Sequence, residues 1–187
     1  MRYHRGDVVD RALVVLDAYG LADLTMRRLG GELGVQPSAL YHHFPNKQSL
    51  LAAVADELLE RGRRTPRPSG WDARVEAVCT ELRDAMLAYR DGAELVATVR
   101  AFGLGAGTPY DELVAALTDG DLDPALVPTA ARTLLHYVFG HTVDEQTHLQ
   151  AGSVGAIDDA PREESDFALG LQIVVDGIRV LAAASAK

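Results

Sequence analysis

Residues 25–45, TMRRLGGELGVQPSALYHHFP, hold two short helix patterns separated by a tight turn. Thr25 can cap a helix over 26–33, and Gly34 can close it in the left-handed conformation that favours glycine. Gly30 and Gly31 each cost about 1 kcal/mol relative to alanine, so this helix must lean on tertiary packing. The second pattern starts at Gln36 or its neighbour. Pro37 falls near the first helical position, where its missing N–H does no harm, and Pro45 forbids continuation. The expected product is a helix of about two turns over 37–44. Helix, turn and short helix form the layout of a helix-turn-helix, whose second helix can enter a DNA major groove.

The residue types then acquire reasons. Gln36, Pro37, Ser38 and Ala39 occupy the helix start, which is the end that reaches base edges. Gln36 and Ser38 can hydrogen-bond bases, and Ala39 or the Pro37 ring can touch a thymine methyl. Leu40 and Phe44 are four apart and share one face, so they anchor the helix in its own domain. Tyr41, His42 and His43 point elsewhere, with a phenol and imidazoles suited to phosphate oxygens or base edges. Lys47 opens the next helix and can pair with a phosphate, as can Thr25, Arg27 and Arg28 from the preceding one.

Working outward, Val8, Val9, Ala12, Leu13, Leu16 and Tyr19 recur at helical intervals and predict a helix over 6–19 ended by Gly20. Asn46 caps a longer helix carrying Leu50, Leu51, Val54, Leu58 and Leu59. Residues 65–70 have the Pro-, Ser- and Gly-rich composition of a linker. Beyond it, 71–89, 93–102, 110–117, 124–150 and 163–184 all favour helix, and 152–165 reads as an acidic, mobile connection. No alternating strand pattern or internal repeat occurs. The expected fold is all-α, with a three-helix domain over 2–62 and a helical domain over 71–187.

The net charge of −9 disfavours a general nucleic-acid binder, but the charge is uneven. Residues 1–64 hold nine of the 18 Lys and Arg and only eight of the 27 Asp and Glu. A near-neutral head on an acidic body suits a module that faces a polyanion while the rest repels it. The single cysteine, Cys79, cannot pair within the chain and reads as a buried core thiol. The N-terminus has no apolar run of signal or membrane-spanning length, so a cytoplasmic protein without a membrane partner is expected.

At this point the sequence resembles the tetracycline-repressor (TetR) family of bacterial transcription regulators. The matching runs are Ala18-Tyr19-Gly20, Leu24-Thr25-Met26-Arg27-Arg28-Leu29, Glu32-Leu33-Gly34-Val35, Ser38-Ala39-Leu40-Tyr41-His42-His43-Phe44 and Asn46-Lys47-Gln48-Ser49-Leu50-Leu51. The resemblance implies a homodimer that binds double-stranded operator DNA and is released from it by a small effector in the C-terminal domain. No catalytic residue, resident metal or cofactor is expected in this chain. Gly30-Gly31 departs from the alanines more usual there.

Further stretches, including Leu87-Ala88-Tyr89-Arg90-Asp91-Gly92-Ala93 and His136-Tyr137-Val138-Phe139-Gly140, are similar to the tetracycline repressors proper. Those bind a magnesium–tetracycline chelate. Val96 stands where they place a magnesium-ligating histidine, Arg63 where another histidine would lie, and Val78 and Leu82 where they have polar or aromatic drug contacts. His136, Arg100 and Asp144 remain at matching positions, so assistance by a divalent metal is left open, and the expectation is a small apolar or amphipathic effector in place of metal-dependent tetracycline recognition. Its contacts would come from Leu82, Met86, Tyr89, Val96, Val99, Arg100, Phe102, Leu113, Leu117, His136, Phe139 and Gly140, lining an apolar site with few polar groups.

Leu134 and Val138 on one helix, with Leu171, Val174, Val175 and Ile178 on the last, form apolar stripes that could pair two chains as a four-helix interface. Internal core is the competing account of the same stripes. One different class also needs weighing. His141, Glu145 and His148, spaced i, i+4, i+7, share a helix face and could bind zinc or iron in a helical-bundle sensor or enzyme. No matching Glu-x-x-His pair accompanies them, which favours solvated or interface residues.

Overall fold

The computed structural model describes residues 3–153 and 165–185, and among these there is no strand. Nine helices are described: α1 (Arg5–Tyr19), α2 (Met26–Leu33), α3 (Pro37–Leu40), α4 (Lys47–Gly62), α5 (Trp71–Leu87), α6 (Gly92–Ala101), α7 (Thr108–Thr118), α8 (Val127–Ser153) and α9 (Phe167–Ser185). The expected connection over 152–165 falls mostly outside the described residues.

The chain divides into two compact units, Met1–Arg63 with Asp84–Ala106, and Arg64–Arg83 with Gly107–Lys187. The N-terminal unit thus takes in the end of α5 and all of α6, segments that composition alone groups with the C-terminal domain.

In the first unit each boundary has a local cause. The α1 stripe Val8, Val9, Ala12, Leu13 and Leu16 is buried, and Gly20 at φ 84° ends the helix. Thr25 Oγ1 accepts the Arg28 N–H at 3.1 Å and opens α2, and Gly34 at φ 66° closes it. Asn46 and Ser49 cap α4 reciprocally, the Ser49 N–H donating to Asn46 Oδ1 at 2.8 Å. Packing then joins α1 to α2 and α4, α2 to α3, and α4 to α6. Asp91, at φ 55°, turns the chain into α6, and its Oδ2 accepts the Leu21 N–H at 2.7 Å, bracing the α1–α2 turn. Asp56 Oδ1 accepts the Ala106 N–H at 2.7 Å and ties the end of the unit to α4.

The second helix of the pair, expected over 37–44 and called the recognition segment below for the role expected of it, is shorter than two turns. Regular helix covers only Pro37–Leu40, residues 41–43 form a turn, and the Phe44 N–H still donates to Leu40 O at 3.0 Å. A residue before proline is pushed out of the helical region, so Pro45 withdraws the last turn as well as ending it.

In the second unit the expected linker is held down. The Arg67 guanidinium donates to both Glu81 oxygens, at 2.7 and 2.8 Å, and to Glu112 Oε2 at 2.6 Å. The Arg64 N–H donates to Glu81 Oε2 at 2.6 Å. Because Glu81 is only 7% exposed, these bonds supply the partners that a buried carboxylate requires. Helices α7 and α8 pack together, as do α8 and α9. Tyr137 donates to Phe167 O at 2.8 Å across the second of these contacts. Arg179 on α9 reaches Asp72 on α5 at 2.8 Å and holds that carboxyl below its ordinary range. Cys79 is fully buried, and desolvation pushes its thiol up to about 12.

Candidate nucleic-acid interface

The close approach of α2 to α3 shapes the candidate interface. The Val35 N–H donates to Gly30 O at 2.9 Å, carrying the chain straight from one helix into the other. A Cβ on Gly30 would stand 2.9 Å from Val35 O and 3.3 Å from the Pro37 nitrogen, both backbone atoms. Glycine is thus what lets the two helices sit this close, whereas nothing lies within 4 Å of a Cβ on Gly31.

Leu40 and Phe44 are 2% and 0% exposed and pin the recognition segment to its own unit. The opposite side carries Gln36, Ser38, Ala39, Tyr41 and His42, all exposed, with Pro37 and His43 half-buried. Gln36 caps α3 through its backbone alone and makes no side-chain capping bond, so its amide stays available. Small residues at the start and longer polar ones behind suit close approach to base edges with flanking contacts to phosphate.

The flanking cations differ from one another. Arg27 is exposed and Lys47 half-buried, and neither pairs with a carboxylate among the described residues. Arg28 is engaged within the protein. Its guanidinium lies 3.6 Å from the Tyr19 ring centroid and 3.3 Å from Asp23 Oδ1, while its buried Nε has no partner. Thr25 spends its hydroxyl oxygen on the α2 cap.

The residues expected around an effector are placed as follows. In the first unit Met86, Val96 and Val99 are buried, Tyr89 and Arg100 half-buried, and Phe102 is 65% exposed. In the second unit Leu82, Leu113 and Leu117 are buried, Phe139 half-buried, and His136 and Gly140 exposed. A cleft of about 600 Å³ in that unit is lined by Val114, Thr118, Asp121, Leu122, Asp123, Pro124, Val127 and Pro128, none of them among the expected effector contacts.

Of the residues expected at a dimer face, Leu134, Val138, Leu171, Val175 and Ile178 are buried within a single chain and Val174 is half-buried. The opposite side of α9 carries Leu169, Ile173 and Val180, exposed by 63, 66 and 70%. Sequence reading passed over this second stripe, although its i, i+4, i+11 spacing and the apolar character of α9 all round would have found it. By length and composition Phe167–Ala184 could cross a membrane, but its Phe167, Leu171, Val175 and Ile178 side is already buried in the second unit.

The metal-site alternative is not favoured by the bonds its members make. Both Glu145 oxygens are taken by Arg83, at 2.9 and 2.5 Å. His141 Nε2 lies 2.9 Å from Asp166 Oδ1, and its Nδ1 is 3.5 Å from Glu145 without hydrogen-bond geometry. Among the described residues no group of three His, Cys, Asp or Glu is arranged to hold a metal. With Arg83 stacked 5.0 Å from the Phe167 ring, the cluster instead ties α5, α8 and α9 together.

Comparison with known proteins gives two family matches along the chain. Residues 8–54 match the family described as bacterial regulatory proteins, tetR family, and residues 65–165 match the tetracyclin repressor-like C-terminal domain. The tetracycline repressor protein class A from transposon 1721 of Escherichia coli is 30% identical over 196 residues, covering 91% of this chain and 88% of that protein. The crystal structure of Mycobacterium smegmatis BioQ is 44% identical, with a TM-score of 0.88 over 95% of this chain and 98% of that one. A structure of BioQ with its double-stranded DNA operator is 42% identical, with a TM-score of 0.83 over 95% and 98% of the two chains.

Proposed function

The chain belongs to the tetR family of bacterial regulatory proteins, and from that premise we propose how it works as a DNA-binding transcriptional repressor. As a homodimer in the cytoplasm, it holds double-stranded operator DNA through the α2–α3 segments of its two heads. A small effector bound by the helical C-terminal part releases it. Its relatives are repressors and not enzymes, and BioQ is seen with its operator. The observation that carries the reading is the recognition segment, whose anchors Leu40 and Phe44 are almost fully buried while Gln36, Ser38, Ala39, Tyr41 and His42 stay open.

Gln36 and Ser38, with Pro37 and Ala39, read base edges. Thr25, Arg27, Arg28, Tyr41, His42, His43 and Lys47 supply phosphate or flanking contacts, Arg28 after leaving the Tyr19 ring. The effector is apolar or amphipathic, because Val96, Val78 and Leu82 offer no ligand to a metal. Pairing of two chains uses the exposed α9 stripe of Leu169, Ile173 and Val180, since the opposite stripe is already spent inside the chain.

Selection from random 40-bp duplexes tests the DNA half of this reading. Enrichment of a palindrome with half-sites about one helical turn apart, or a multiple, is expected. Binding should fall steeply as salt rises. In the selected palindrome, Gln36→Ala and Ser38→Ala should change base preference, whereas Lys47→Ala should weaken all sequences alike. Failure to enrich any sequence over the starting pool would refute the repressor assignment.

A further inference from the structure

Arg5, the first residue of α1, stands outside the helix-turn-helix yet is placed against it. Its guanidinium carbon lies 4.8 Å from the centroid of the Phe44 ring. Phe44 is fully buried and ends the recognition segment, three residues after Tyr41 and three before Lys47. A guanidinium stacked on a ring presents its N–H groups at its edge, in a fork that matches two phosphate oxygens.

Arg5 is exposed, and among the described residues no carboxylate pairs with it. Two other cations of the same unit are committed to carboxylates. Arg61 is bonded to Asp10 and Glu57, and Arg28 to Asp23. The free N–H groups opening α1 attract no anion of their own, because Asp7 already occupies that end and accepts the His4 N–H at 2.7 Å. Charge offered to a polyanion here therefore belongs to the Arg5 side chain.

We propose that Arg5 is a further phosphate contact of the DNA complex, held beside the recognition segment by stacking on Phe44. The inference rests on the repressor reading. One contact on each head of a dimer binds DNA without regard to sequence. It also couples the start of α1 to the position of the recognition segment.

The test compares the full chain with Arg5→Ala and Arg5→Lys, titrated with the selected palindrome and with a scrambled duplex of the same length between 50 and 200 mM salt. Each phosphate contact contributes about 0.9 to the slope of log affinity against log salt, so Arg5→Ala should flatten it by about 1.8 for a dimer. Its disadvantage relative to the unmodified chain then narrows about tenfold across that range, as follows from the same relation. Arg5→Lys should keep the slope, because it keeps the charge. A purely structural role for Arg5 would lower affinity without moving the slope, and that result overturns the proposal, as does an unchanged affinity. An altered preference between palindrome and scrambled duplex would also overturn it, since a phosphate contact carries no base information. If the unmodified chain binds neither duplex, the repressor reading fails and takes this inference with it. Binding by the unmodified chain with no slope change in Arg5→Ala sinks the inference alone.

Discussion

Two adjacent glycines show how much one methyl group can decide. Helix propensity treats Gly30 and Gly31 alike, at about 1 kcal/mol each relative to alanine. Their surroundings separate them. At Gly31 a Cβ meets open space, so Gly31→Ala should raise stability by about 1 kcal/mol, or roughly 2–4 °C in Tm for a chain of this size. At Gly30 the added Cβ would press on the Val35 carbonyl and the Pro37 nitrogen, which are backbone atoms that cannot rotate away. Gly30→Ala should therefore lose the propensity gain, displace α3 and weaken operator binding. Thermal unfolding and operator titration of both variants check this. Equal stabilisation by the two substitutions would show that α2 and α3 do not need their close approach. Sequence reading saw the cost of these glycines and missed the reason for one, because the atoms concerned are brought together by the turn.

At the scale of elements, α9 carries two apolar faces with different fates. Phe167, Leu171, Val175 and Ile178 are buried in the chain, while Leu169, Ile173 and Val180 lie exposed on the other side. Exposed apolar stripes of this length mark surfaces that another helix covers. Ile173→Asp should then yield a folded monomer, with helical content kept and mass halved in light scattering. Val175→Asp should instead unfold the C-terminal helices, since it buries an unpaired carboxylate. An Ile173→Asp chain that stays dimeric at micromolar concentration would remove α9 from the interface. Both stripes have helical spacing, so the pattern alone could not tell which one faces the chain's own core. Helix α3 carries a similar lesson. Pro37 and Pro45 located it correctly, but the preference of the residue before Pro45 for extended backbone left only one regular turn.

For the whole molecule, release by an effector is a coupling between two binding events, and it must be reciprocal. A compound found by thermal stabilisation of the free protein should raise the operator Kd by some factor. Saturating palindrome should raise the compound's Kd by the same factor, measured by calorimetry with and without DNA. A compound that occupies the protein yet leaves operator affinity unchanged would refute ligand-driven release. The charge distribution fits this division of labour. The near-neutral first 64 residues hold every proposed DNA contact, and the acidic remainder would repel DNA from other surfaces.

By itself the sequence determined the all-α class, the helix-turn-helix and the assignment to a family of DNA-binding repressors. The class and the helix-turn-helix rest on local signals: the Thr25 and Asn46 caps, Gly34 past the end of α2, and prolines on both sides of the recognition segment, each acting within a few residues of itself, whereas the family rests on the resemblance of whole runs such as 38–44 and 46–51. Tertiary structure alone decided that residues 84–106 join the N-terminal unit, that Arg67 straps the apparent linker to Glu81 and Glu112, and that His141 meets Asp166 while Glu145 meets Arg83. It also decided which face of α9 remains open. The bonds named here join partners 14 to 62 residues apart in the chain, Arg67 with Glu81 and Arg83 with Glu145 at the two ends of that range. A side chain's composition and spacing state what it can bond to, and only the packed chain states which partner reaches it first.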